Sequence, residues 1–76
     1  MKVKLILTSW FKRYSDGAGE IMIEVPEKST VKDVLNKTKI PLEEIGFVHL
    51  DGKIKRMDEM VNNREELKIY TKIVGG

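Results

Sequence analysis

Few residues in this chain are of types and spacings that could do chemistry. His49 is the lone histidine and there is no cysteine, so thiolate sites, disulfides and cysteine nucleophiles are excluded and a zinc site lacks its third ligand. His49 and Asp51 stand two apart, but the serines that a nucleophilic triad would need, Ser9, Ser15 and Ser29, fall in loop or cap positions. Glu43-Glu44 and Glu65-Glu66 are adjacent pairs that point to different sides and read as solvated loop residues. Asp16-Gly17-Ala18-Gly19 contains a Gly-x-Gly, yet a strand rather than a helix follows, so no phosphate loop is expected. Trp10 and Phe11 could stack a base, but a small core needs its aromatics and both are expected inside. No catalytic residue and no metal ligand set emerges. What stands out is Gly75-Gly76, two glycines closing the strand-like run Ile69-Tyr70-Thr71-Lys72-Ile73-Val74. They read either as a frayed terminus, where small residues are tolerated, or as an end whose carboxylate is itself the working group.

The elements that must present this tail can be read from periodicity. Residues 2–8 alternate, with Val3, Leu5 and Leu7 on one face and Lys4 and Ile6 on the other. Asp16-Gly17 is a turn, and Ile21, Ile23 and Val25 form the inward side of a second strand. The stretch from Trp10 to Tyr14 is open between strand, loop and helical turn. Thr30 and Asp33 form a capping pair for a helix whose stripe is Val31, Val34, Leu35 and Thr38, ended by Pro41. A short turn holds Leu42 and Ile45. Val48 and Leu50 then point inward and Phe47 and His49 outward, before Asp51-Gly52 turns into a strand over 53–57. Residues 58–66 form a connector with one helical turn, in which Met57, Met60 and Val61 act as plugs. In the last strand Leu67, Ile69, Thr71 and Ile73 face inward and Lys68, Tyr70, Lys72 and Val74 outward. The order β-β-α-β-β-β predicts an α+β fold, one helix on one face of a mixed five-stranded sheet, with the first and last strands parallel neighbours.

Seventy-six residues allow one domain, residues 1–76, with residues 74–76 as a flexible tail. Hydrophobic residues are 41% and charged residues 34%, as in a soluble globular protein, and the net charge of +2 is too small to suggest nucleic acid. No apolar run is long enough for a membrane span, and the N-terminus lacks the h-region and cleavage site of a signal peptide. A cytoplasmic monomer is expected.

This pattern resembles the ubiquitin-like β-grasp sulfur carriers, the small subunit of molybdopterin synthase and the thiamine-pathway carrier. The resemblance spans the chain and is strongest over residues 48–76. Val48, Leu50, Asp51-Gly52, Met60, Leu67, Ile69, Tyr70 and Gly75-Gly76 match the family's positions there. Asp51-Gly52 in place of Asn-Gly, and Asn63-Arg64-Glu65-Glu66 before the last strand, depart from it. Lys55-Arg56 leans to the thiamine type, while the molybdopterin type stays open. The resemblance implies a carrier and not an enzyme. It binds no cofactor; an adenylating enzyme uses ATP to activate the carboxylate of Gly76, a sulfur donor converts it to a thiocarboxylate, and an acceptor synthase receives the sulfur. It also implies that Ile6, Ile54 and Tyr70 dock on the partners, and period-2 alternation adds His49 and Lys68 to their face, with Lys72 and Lys4 at its rim. A ubiquitin-like modifier joined to lysines through Gly76, or an interaction module with a chance Gly-Gly, are the other readings.

Overall fold

The computed structural model describes residues 1–72; Ile73 to Gly76, and with them the expected strand end and tail, lie outside the described residues. Strand β1 (Lys2–Leu7) buries Val3, Leu5 and Leu7, as alternation requires. A 3-10 helix over Ser9–Tyr14 follows, which decides the open segment. Its three-residue turn puts Phe11 fully inside and leaves Trp10 exposed, so only one of the two expected aromatics enters the core. Asp16 (φ 54°) and Gly17 (φ 88°) make the left-handed turn that leads to β2 (Glu20–Glu24).

Helix α1 (Val31–Asn36) begins at Thr30, whose hydroxyl accepts from the Asp33 N–H while the Asp33 carboxylate accepts from the Thr30 N–H. It buries Val31, Val34 and Leu35. It stops well before Pro41 because the Thr38 hydroxyl donates to the Leu35 carbonyl at 2.6 Å and accepts from the Ile40 N–H. A second 3-10 helix (Leu42–Glu44) precedes β3 (Ile45–Leu50). Asp51 (φ 52°) and Gly52 (φ 80°) form the two-residue hairpin turn to β4 (Lys53–Lys55). Strand β5 (Glu66–Thr71) is the last.

The sheet order is β2-β1-β5-β3-β4, with β1 and β5 parallel and the other pairs antiparallel. This is the expected α+β architecture, with β5 in the middle. Four expectations change. Ile21, Ile23 and Leu50 are only half-buried. For the two isoleucines the reason is position: β2 is an edge strand, and a six-residue helix is about 9 Å long. The connector carries no helical turn. Its Glu59 and Met57 carbonyls accept the Val31 and Lys32 N–H groups at the helix start, a duty that requires an irregular path. Thr30 and Met60 form an isolated bridge, which turns Met60 outward (59% exposed) and leaves Val61 as the plug (2%). Thr71, the last residue of β5, is exposed, and its hydroxyl donates to the Glu44 carbonyl.

Candidate functional site

The pairing of the strands assembles one row across all five on the face away from the helix. Glu20 lies opposite Ile6, Ile6 opposite Lys68, Lys68 opposite His49, and His49 opposite Ile54. Ile6, His49 and Lys68, expected on one face from alternation, and Ile54, added by the resemblance, thus form one cross-strand row. Tyr70 joins from the next row, where its partner is Phe47. The three rings form a platform, with centroids 5.0 Å apart for Phe47–Tyr70, 5.0 Å for Phe47–His49 and 4.9 Å for His49–Tyr70. The Lys68 ammonium sits 5.4 Å from the Tyr70 ring centre. Ile54 is 67% exposed, while Ile6, Phe47, His49 and Tyr70 are half-buried by one another. A shallow depression of about 350 Å³ runs between Ile6, His49, Lys68 and Tyr70. Phe47 was absent from the site read in the sequence, although its place two residues before His49 carried the signal.

The rim is less uniformly basic than expected. The Lys4 ammonium is 3.7 Å from the Glu20 carboxylate. Lys72 lies past the end of β5, exposed, and its N–H donates to the Glu44 carbonyl at 3.3 Å.

Glu44 is no simple solvated loop residue. One of its carboxylate oxygens accepts from the Trp10 indole N–H at 2.9 Å and from the Tyr14 hydroxyl at 2.8 Å. These bonds, Trp10's first, lower the Glu44 pKa, and the same contact raises that of Tyr14. The Arg13 guanidinium covers the Trp10 ring at 3.7 Å. Glu65 is also engaged, accepting from the Asn62 N–H and lying 3.8 Å from the Lys55 ammonium.

Other chemistry is spent elsewhere. The Ser29 hydroxyl donates to Pro26, and that of Ser15 bonds the Lys12 and Ala18 carbonyls, so neither is turned to His49. Among the described residues no group of three His, Asp or Glu side chains could hold a metal ion, and no helix is long and apolar enough to cross a membrane.

Residues 7–73 match the family model described as Mut7-C ubiquitin. The chain belongs to the Mut7-C ubiquitin family. Its fold is the ubiquitin-like β-grasp that the sequence pattern implied. SAMP1 from Haloferax volcanii is similar over 100% of both chains, with TM-score 0.76 and 16% identity. A protein assigned as molybdopterin converting factor subunit 1 from Pyrococcus furiosus matches 96% of this chain and 99% of its own, with TM-score 0.76 and 18% identity. The BexX/CysO complex of Amycolatopsis orientalis contains a chain covering 97% of this one and 99% of itself, with TM-score 0.70 and 13% identity. At such identities the likeness is one of fold. No curated protein sequence matches this Mut7-C ubiquitin chain.

Proposed function

We propose that this Mut7-C ubiquitin chain is a sulfur carrier, acting through a thiocarboxylate on Gly76, and is a substrate of enzymes and not itself one. The observation that carries the reading is the course of β5. This central strand holds Lys68 and Tyr70 of the open aromatic face and is the last strand before Gly75-Gly76 in the sequence. A partner seated on that face would meet a tail of four residues beyond Lys72, able to reach at most about 14 Å when drawn out. The names of proteins with this fold add support: a converting factor for molybdopterin, and CysO in a complex with BexX.

The chemistry follows from the weakness of a carboxylate as an electrophile. In the active site of an adenylating partner, a Gly76 carboxylate oxygen attacks the α-phosphorus of ATP, and pyrophosphate leaves. Hydrosulfide, or a donor delivering sulfur at the same oxidation level, then attacks the acyl carbon. The new C–S bond forms, the C–O bond breaks, and AMP departs with the electron pair. Deprotonation leaves the thiocarboxylate, which an acceptor synthase consumes. The chain binds no cofactor in this scheme, and ATP belongs to the partner. Ile6, Ile54, Tyr70, His49, Lys68 and Lys72 form the partner face.

The reading requires a free carboxylate at Gly76, and intact-mass measurement of the protein from its native cell tests this directly. Exchange of one oxygen for sulfur at Gly76 is expected. Deletion of Gly76, or Gly75→Val, is expected to abolish ATP-dependent activation with the melting curve unchanged. Thiolation of the Gly76-deleted chain would sink the proposal. The description of a similar fold as small archaeal modifier protein 1 favours a second reading, a protein modifier. That reading predicts Gly76 in isopeptide linkage to lysines of other proteins.

A further inference from the structure

Between the core and the open face, the last described residues of the chain are held by two features outside β5. The Glu44 carbonyl accepts from the Thr71 hydroxyl at 3.3 Å and from the Lys72 N–H at 3.3 Å. Glu44 is in turn fixed by its side chain, through the Trp10 and Tyr14 donors on the first 3-10 helix. Hydrogen bonds to a carboxylate are stronger than neutral ones, so this tie is firm for an exposed site. The second feature is Gly46, the extra residue of the β3 bulge. A Cβ there would stand 2.8 Å from the Thr71 carbonyl oxygen and 3.0 Å from both the N and the Cα of Lys72. All three are backbone atoms, which cannot rotate aside, so the close approach of Thr71 and Lys72 to β3 depends on glycine at this position.

We infer that Glu44 and Gly46 are positioning residues that clamp Thr71 and Lys72 and so set the direction in which the chain departs toward Gly76. The inference rests on the sulfur-carrier reading for its purpose and on the geometry of these four residues for its existence. A partner that accepts the tail must order every residue it draws in. Holding Thr71 and Lys72 beforehand shortens that segment and aims it, which lowers the entropy lost on docking. The effect belongs to binding, so it should appear in KM and not in kcat.

Two variants attack the clamp from opposite sides. Trp10→Phe with Tyr14→Phe removes both donors to Glu44 while keeping an aromatic ring at each position and the Glu44 charge. Gly46→Ala pushes the end of β5 from below. Each is compared with the unaltered chain by amide exchange at Lys72, by melting temperature, and by ATP-dependent activation with the E1-like enzyme of the same cell. Both variants are expected to speed Lys72 exchange and raise KM about tenfold, the cost of ordering roughly one more backbone residue, with kcat retained. An unaltered KM in both folded variants, or unaltered Lys72 exchange, would overturn the clamp. Absence of activation in the unaltered chain would instead overturn the carrier reading, and Lys72 exchange would still decide the clamp.

Discussion

At Glu44 a single carboxylate oxygen receives an indole N–H and a phenol O–H, and this has a consequence for pH. Both donors favour the charged form, Trp10 first and Tyr14 second, and hold the pKa below the ordinary glutamate range. A carboxyl whose folded pKa is depressed contributes stability that is complete above its unfolded pKa. That contribution is lost as pH falls through the folded value. Asp33 has the same sign, since the Thr30 backbone N–H first and the hydroxyl contact second lower its pKa. Acid should therefore loosen two separate places in one pH window. They can be told apart because the chain has one tryptophan, and that tryptophan is Glu44's partner. Trp10 fluorescence is expected to titrate in the acid range in the native chain and to lose that transition in Glu44→Gln. A persistent transition in Glu44→Gln would mean that Trp10 senses another group.

Among the elements, β5 bears the most, since it lies between β1 and β3 and carries both faces. Its inward residues Leu67 and Ile69 are fully buried, with Leu67 opposite Leu5 and Ile69 opposite Leu7 and Val48. Truncating such a leucine removes buried apolar surface and leaves a cavity that a tightly packed core fills only in part. Leu67→Ala is expected to destabilise the fold by about 2–5 kcal/mol. Against a total of about 5–15 kcal/mol for a small domain, that is a large share. Thermal melting of the variant checks it, and a melting curve like that of the unaltered chain would contradict the burial of Leu67. The short helix shows a different dependence. Its first N–H groups are satisfied by Met57 and Glu59, so the helix start and the connector hold one another in place.

For the molecule as a whole, the one-sided helix matters most. It covers one face of the sheet and leaves Ile6, Phe47, His49, Ile54 and Tyr70 together on the other. A contiguous apolar patch with charged residues around it commonly marks an interface. A tyrosine in the middle of such a patch is a frequent anchor, having large area and few rotors. Tyr70→Asp is expected to keep the fold, because the residue lies outside the core, and to weaken binding of the adenylating partner proposed above by at least about 2 kcal/mol. Titration calorimetry reads this, and unchanged affinity for the folded variant would move the interface elsewhere. Among the described residues the buried core spans residues 3–69, so deletion of Gly76 is expected to leave the fold unchanged.

Much of this was legible in the chain because its signals are local. Period-2 alternation put Leu5, Leu67 and Ile69 inside and Ile6, Lys68 and Tyr70 outside, since a pleated strand must send successive side chains to opposite faces. Thr30 and Asp33 specified a capping box of four residues, and Asp51-Gly52 a hairpin turn of two. Tertiary structure alone decided what depends on which strands meet. Making β2 an edge strand left Ile21 and Ile23 half-exposed, though their pattern matches that of Val3 and Leu5. Seating β3 beside β5 brought Phe47 onto Tyr70 and completed the aromatic platform. The Glu44 bonds to Trp10, Tyr14 and Thr71 join residues 34, 30 and 27 positions apart. Contacts of that range leave no periodic trace, because they are set by the path of the folded chain and not by the pitch of any one element.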